Sequence, residues 1–231
     1  MTQYPFDAAD LARLAEWDTP TICNALELLV PERRALGFTV EPLVALHPAA
    51  APIVGLARTG TVRAKEAPRG PVASRMDWYA YVANAELPTI VVLQDADDRP
   101  GYGAFWGEVH TNLHARLGAQ GCVTNGSFRD LAQSAKNFQI LGGRVGPSHA
   151  HIHVVDFGGP VNVSGMLAAH DDVIHADIHG AVVIPGDCVR ALPDKIDLVA
   201  RREKVILDLC AAPGFSIETL RQAMARSSDI H

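Results

Sequence analysis

Lysine is scarce in this chain: Lys65, Lys136, Lys195 and Lys204 are the four in 231 residues. There is no basic run and the formal net charge is −6. Phosphate backbones are held by clustered Lys and Arg, so this balance argues against nucleic acid as a partner. Long apolar runs are also absent. No stretch of about 18 apolar residues occurs, so no membrane-spanning helix is expected. The N-terminal "MTQYPFDAADLARLAEW" lacks the basic flank and apolar core of a signal peptide. The expected location is the cytoplasm. The four cysteines, Cys23, Cys122, Cys188 and Cys210, lie far apart without a CxxC pair. That excludes a zinc ribbon or a disulfide framework, and the four are read as buried free thiols in a reducing compartment.

What is present is an ordinary globular composition, 48% hydrophobic and 20% charged, punctuated by 19 Gly and 15 Pro. Disorder is therefore not expected, and the length suits one domain spanning residues 1–231. "DAADLARLAEW" carries helical spacing, and "DTPTICNALELL" opens with Asp18 or Thr19 as cap and Pro20 in the first turn. Short β-branched pieces follow from "GFTVEPLVAL" through "PIVGLARTGTVRA". Beyond them the rhythm becomes strand and helix in turn: helix "SRMDWYAYVANA", strand "TIVVLQDA", helix "FWGEVHTNLHARLG", strand "GCVTNG", short helix "RDLAQSAKN", strand "QILGG". This predicts an α/β protein with a parallel or mixed sheet covered on both faces, its ligand site beyond the C-terminal strand ends. From "HIHVVDFG" through "PVNVSGM" to "DVIHADIHGAVVIPGD" glycine turns join the strands, predicting hairpins or a small barrel. Two amphipathic helices, about 194–210 and 215–226, close the chain.

The stretch "GEVHTNLHARLGAQGCVTNGSFRD", Gly107 to Asp130, puts a glycine and an acid at a helix start. A glycine ends that helix, and a short strand then runs out into adjacent Arg and Asp. With the later "HADIHGAVVIPGD", it resembles the two ordered motifs of the RraA-like family. That family holds 4-hydroxy-4-methyl-2-oxoglutarate/4-carboxy-4-hydroxy-2-oxoadipate aldolases and protein regulators of ribonuclease E. The resemblance implies a swivelling β/β/α fold, an α/β/α sandwich with a central β-barrel-like sheet. It also implies trimers or hexamers with the site at a subunit boundary, where the helices of about 194–226 would pack.

The implied reaction is cleavage of a 4-hydroxy-2-oxo acid to pyruvate and a second oxo acid, with oxaloacetate decarboxylation as a side reaction. Both leave the pyruvate enolate, whose developing charge needs a lysine Schiff base or a divalent cation. No lysine stands in the motif. A hard cation such as Mg²⁺, or Mn²⁺, keeps several waters and needs only one or two carboxylates. The resemblance assigns it to Asp130. Arg129, a planar fork of donors, suits the keto and carboxylate oxygens of the substrate. Glu108 is read as orienting a metal-bound water or moving a proton. Gly103 and Gly107 in "PGYGAFWGE" would offer backbone N–H groups, with Phe105 and Trp106 as walls. Family aldolases draw a further acid from the neighbouring subunit's C-terminal helix, and Glu203 is the candidate. Its bland alternative is a solvated face pairing with Arg201 or Lys204. The competing function is a regulator that binds ribonuclease E without chemistry.

Two histidine groups stand apart. His149, His151 and His153 alternate, so on a strand they would share one face at about 7 Å intervals and could hold zinc or iron. No glutamate follows at a suitable distance, and the reading carried forward is a polar strand face or subunit contact. His175 and His179 flank Asp177 at a turn and are read as scaffold. His170 and Asp171 replace the family's usual Pro-Gly before Asp172.

Overall fold

Alternation of apolar residues decides which way each strand faces, and the faces decide how the sheet is covered. The computed structural model describes residues 4–231. Its strands are β1 (Val44–Ala45), β2 (Ile53–Arg63), β3 (Thr89–Asp95), β4 (Ala104–Trp106), β5 (Ala119–Phe128), β6 (Gln139–Val145), β7 (His153–Phe157), β8 (Val161–Val163), β9 (Met166–Ala168), β10 (Val173–Asp177) and β11 (Gly180–Ile184). The helices are α1 (Ala8–Leu14), α2 (Thr19–Leu29), α3 (Arg75–Ala83), α4 (Glu108–Arg116), α5 (Leu192–Ala211) and α6 (Ile217–Ser228).

Nine strands form one curled, half-barrel sheet in the order β1-β6-β5-β3-β2-β10-β11, with β4 beside β5 and β7 beside β2. β2, β3, β5 and β6 run parallel, and so does β4 against β5. The strands after residue 150 run antiparallel to their neighbours, as the glycine-turn pattern predicts. Ile90 and Val92 of β3 join Val123, Leu141 and Ile174 on the inner face, which the β8–β9 hairpin covers through Val161, Val163 and Met166. The intervening Val91 and Leu93 join Cys122 and Ile140 on the outer face, packed with Trp78 of α3 and with Trp106 and Phe138. A second outer patch seats α1, α2 and α5 on Val54, Leu56, Val182 and Ile184. Each such side chain contributes about 1.5–3 kcal/mol by leaving water.

Asp18 caps α2 by accepting the Thr21 N–H at 2.9 Å, and Pro20 stands in the first turn. The inward end of β10 ties this helix down. Buried His175 pairs with the Thr19 hydroxyl at 3.0 Å and donates from Nε2 to the Trp17 carbonyl at 3.0 Å, while Asp177 accepts the Thr19 N–H at 2.9 Å. Both are scaffold groups, joined by His179 at the turn.

Three expectations need correction. No helix follows Arg129: Asp130 has φ +56°, and its carbonyl accepts from the Gln133 and Ser134 amides, so residues 131–134 form turns. A left-handed residue there breaks the helical run at its first position. Of the alternating histidines only His153 lies in a strand; His149 and His151 belong to the loop before β7. Of the thiols, Cys122 and Cys188 are buried, Cys23 is half-buried and Cys210 is exposed.

The His170–Asp171 pair has a definite role. Arg58 on β2 is 2% exposed, and its guanidinium bonds the Asp171 carboxylate, the Ala57 carbonyl and the Asn84 carbonyl. Tyr4 donates to Asp171 at 2.5 Å, and His170 meets the Tyr81 hydroxyl at 2.9 Å. Burial raises the Asp171 carboxyl, but the bonds from Tyr4 and Arg58 and the guanidinium charge outweigh it and hold the pKa below the usual carboxylate value. Asp171→Asn leaves a buried cation uncompensated, and we expect a loss of about 3–5 kcal/mol in urea unfolding. A loss under about 1 kcal/mol would mean that the two carbonyls alone satisfy Arg58.

Candidate active site

β4 and β5 are adjacent parallel strands, with Trp106 opposite Phe128, so their C-terminal ends emerge side by side. The first delivers Gly107 and Glu108, the second Arg129 and Asp130. The Arg129 N–H continues the ladder by donating to the Trp106 carbonyl at 3.0 Å. Helix α4 starts at once, and its cap residue Gly107 has no side chain to offer. Asp130 fills the gap from the other strand: its Oδ2 accepts the Glu108 N–H at 3.2 Å and lies 3.6 Å from Arg129 Nε. A helix N-terminus favours a carboxylate in this position.

Gly107 is required by that approach, because a Cβ there would stand 2.5 Å from Asp130 Oδ2. Thr111 binds the two segments further along. Its hydroxyl donates to the Gly107 carbonyl at 3.0 Å and accepts the Ala135 N–H at 3.0 Å, holding the loop after Asp130 against α4.

These residues open on a cleft of about 720 Å³. Phe105, Gly107, Glu108, Arg129 and Asp130 all line it. Trp106 does not: it is fully buried among His114, Phe138 and Phe105, with its ring facing the core. Gly103 sits behind the wall, where a Cβ would meet the His149 carbonyl oxygen at 2.4 Å, so its smallness serves a close backbone approach. The amides of Gly101 and Ala104 are committed to Asp95 and to the Ser148 carbonyl. Glu203 is exposed on α5 and does not line the cleft of its own chain; Lys204, its expected partner, pairs instead with Asp208 at 2.8 Å.

Sequence reasoning missed two sides of the cleft. Arg75 and Tyr79 of α3 form one, and His110 on α4 forms part of the floor, packed against Phe105 with 4.2 Å between ring centroids and the rings tilted by 39°. Helical spacing in "GEVHTNLH" places His110 two positions after Glu108 and His114 four beyond that, a signal available in the sequence but unused. The histidines of the 149–153 loop line the same cleft and do not form a separate site. Among the described residues no three His, Cys, Asp or Glu side chains converge to hold a metal. A cage for zinc or iron is therefore not formed by the histidine trio.

The family profile for RraA-like proteins (Aldolase/RraA) matches residues 19–183. The chain belongs to the RraA-like family. Solved structures of similar fold include one described as novel cellulases from microbes associated with the gut ecosystem (TM-score 0.71, 16% identity, 88% of this chain and 89% of that one). A second is an uncharacterized protein from Pseudomonas syringae pv. tomato str. DC3000 (TM-score 0.68, 18% identity, 96% and 99%). A third is Streptomyces coelicolor RraAS2, described as an unusual member of the RNase ES inhibitor RraA protein family (TM-score 0.65, 21% identity, 88% and 96%). At these identities the likeness speaks for the fold. No curated protein matches the chain. RraA-like proteins include both aldolases and ribonuclease E inhibitors. Among the described residues no helix is long and apolar enough to cross a membrane.

The floor of this RraA-like cleft is electrostatically distinctive. His114 is fully buried, donates from Nδ1 to the His110 carbonyl at 2.7 Å and accepts the Trp78 indole N–H at Nε2, 2.9 Å away. That arrangement fixes a neutral ring, and burial pushes its pKa from 6.5 down to about 3. Burial, then the charges of Arg75 and Arg129, push His110 down to about 4. In the unfolded chain both rings take up a proton below about pH 6.5, while the folded protein holds them neutral. Acid therefore favours unfolding. Stability should fall as pH drops from about 6.5, each ring adding up to about 1.4 kcal/mol per pH unit until its folded-state value is reached. Urea unfolding between about pH 7 and about pH 5 measures this, and a flat profile would contradict it.

Proposed function

We propose that this protein is a divalent-metal-dependent lyase that releases pyruvate from a 4-hydroxy-2-oxo acid by retro-aldol cleavage. Decarboxylation of oxaloacetate through the same enolate would be its side reaction. The observation that supports this best is the Arg129–Asp130 pair held at the uncapped start of α4, facing a cleft. Cleavage moves the electrons of the C3–C4 bond onto the pyruvate fragment, and the rate depends on donors waiting where that charge appears. Arg129, half-exposed toward the cleft, supplies a guanidinium that reaches the keto and carboxylate oxygens. With the Glu108 N–H taken by Asp130, the Val109 and His110 amides of the first turn of α4 lack intrahelical partners and can take the substrate carboxylate.

The residues present fit Mg²⁺. Asp130 Oδ1 has no hydrogen-bond partner among the described residues, while Oδ2 is steered by the Glu108 N–H and Arg129. A single oriented carboxylate, with Glu108 lining the same cleft, is the donor set of a hard cation that keeps most of its waters. Such a cation supplies Lewis-acid stabilisation of the enolate oxygen. Glu108, at N1 of α4, would hold a water beside Asp130.

Glu203 is proposed to serve a neighbouring subunit. It is exposed, unpaired among the described residues and carried on a helical hairpin, α5–α6, that leaves Leu207, Phe215, Ile217 and Met224 exposed. Those side chains suit burial against a second copy in a trimer or hexamer. The regulator reading, drawn from the fold likeness to an RNase ES inhibitor relative, needs no built cleft. The close fit of Gly107 to Asp130 favours chemistry.

Purified protein should release pyruvate from 4-hydroxy-4-methyl-2-oxoglutarate and CO₂ from oxaloacetate with Mg²⁺, and lose both with chelator. Arg129→Ala and Asp130→Ala should stay folded and lose at least about 10²-fold in kcat/KM. Gly107→Ala should displace the Asp130 carboxylate and cost about 10-fold in kcat/KM, with the protein still folded and its thermal midpoint lowered by about 2–4 °C as the cap is lost. Full turnover in the Arg129 or Asp130 variant would end the assignment.

A further inference from the structure

The Arg129–Asp130 pair accounts for the 2-oxo acid end of a substrate and leaves a second cation of the cleft without a task. Arg75 is the first residue of α3 and Tyr79 follows four positions later, so both stand on one face of that helix, and both line the cleft. Neither side chain has a hydrogen-bond or ion-pair partner among the described residues, and neither has a polar atom shut away from water. The acids nearby do not neutralise Arg75. Asp130 is turned to Arg129, with Oδ2 3.6 Å from Nε, and among the described residues no ion pair joins Arg75 to Glu108 or to Asp77 on its own helix. A free guanidinium at the wall of a cleft is a ready partner for a carboxylate.

The α3 face is held in a set place relative to α4. Trp78 is buried and donates its indole N–H to Nε2 of His114 at 2.9 Å, and Ser74 caps α3 by accepting the Asp77 N–H at 3.3 Å. The Tyr79 ring lies with its centroid 5.7 Å from that of His114 and 6.3 Å from that of His110. His110 in turn stands in the first turn of α4, three residues after Gly107. At Gly107 a Cβ would lie 2.5 Å from Asp130 Oδ2 and 3.3 Å from Arg129 Cγ. The His110 ring thus neighbours both the α3 face and the Arg129–Asp130 end, and the charges of Arg75 and Arg129 both act on it. Two cations serve one compartment.

We propose that Arg75 and Tyr79 form a second carboxylate subsite that makes the cleft selective for dicarboxylic over monocarboxylic 4-hydroxy-2-oxo acids. The guanidinium and the phenol O–H donate to the carboxylate carried on C4. This assignment rests on the lyase reading, which puts the C1 carboxylate and C2 oxygen at Arg129. The carboxylate on C4 neither gains nor loses charge as the C3–C4 bond breaks, because it passes unchanged into the oxo acid that leaves. Its bonds to Arg75 and Tyr79 therefore hold ground state and transition state equally and set KM, while Arg129 acts on the rate.

A matched pair of substrates isolates the subsite. In 4-hydroxy-4-methyl-2-oxopentanoate a methyl replaces the C4 carboxylate of 4-hydroxy-4-methyl-2-oxoglutarate, and cleavage gives pyruvate and acetone. With Mg²⁺ present, Arg75→Ala should raise KM for the diacid by about 10–10²-fold with kcat within about twofold of wild type. Both constants for the monoacid should stay within about twofold. Tyr79→Phe should raise the diacid KM by about 3–10-fold and spare the monoacid. Arg75 is exposed, so the variant should fold as wild type does. A merely structural role would raise both KM values together.

Binding gives a readout without turnover, since 2-oxoglutarate has no 4-hydroxyl and so no retro-aldol path. In calorimetry with Mg²⁺ it should bind wild type at least about 10-fold more tightly than 2-oxopentanoate, and Arg75→Ala should erase the difference. A diacid preference unchanged in Arg75→Ala, or equal weakening toward both acids, overturns the subsite and leaves the lyase reading intact. If wild type cleaves neither substrate but prefers 2-oxoglutarate through Arg75, the lyase reading falls and the dicarboxylate subsite stands. Absence of both turnover and preference overturns both.

Discussion

A carboxylate placed at a helix start that has no cap of its own organises this site. Gly107 gives α4 no side chain with which to bind its first amides, and Asp130 reaches across from the neighbouring strand to accept the Glu108 N–H. The interaction is modest in energy, about 1 kcal/mol for an ordinary cap. Its effect on geometry is larger, since it orients one oxygen of Asp130 inward and leaves the other to the cleft. The left-handed backbone of Asp130, which costs energy in a residue with a Cβ, is sustained by the same bond and by the turn that Ser134 closes behind it. The strain, the missing side chain and the absent helix after Arg129 are one arrangement.

The parallel part of the sheet makes that arrangement possible. Two parallel neighbours end at the same edge, so successive segments of chain, separated by all of α4, arrive together. Antiparallel neighbours would have sent Gly107 and Asp130 to opposite edges. The antiparallel strands that follow close the half-barrel and bring the 148–153 loop back beside β4, completing the cleft from a distant part of the chain. The outer patch under α1, α2 and α5, locked by His175, Asp177 and Thr19, bears on the hairpin β10–β11 and stays clear of the cleft. This stabilising patch and the candidate site are thereby placed on different sectors of one sheet.

Much of this was legible in the sequence because local rules dominate there. Asp18 and Pro20 announce α2, period-two alternation announces β3, and glycine turns announce the hairpins after residue 150. The family motifs placed Glu108, Arg129 and Asp130 at one strand-end site. What was not legible depends on contacts between distant segments. The stretch "RDLAQSAKN" has helical composition, yet a bond from Asp130 to an amide twenty-two residues earlier decides its conformation. Trp106 reads as a pocket wall until β4 turns its ring into the core. The histidine trio reads as a strand because alternation is a strand pattern, but the Ala150 φ of +46° ends that pattern at its centre.

The cleft's unusual feature is how many imidazoles it keeps uncharged beside two guanidiniums. Burial fixes His114 and His110 in the neutral form, and Arg75 and Arg129 reinforce it at His110. A protonated floor would add positive charge under the site, strengthening the hold on any anionic substrate in ground and transition state alike, which raises affinity without raising the rate. A neutral floor leaves the positive charge of the cleft on Arg75 and Arg129. On the lyase reading proposed above, that leaves Arg129 as the group able to hold the transition state more strongly than the ground state, and it is this difference that turns a binding pocket into a catalyst.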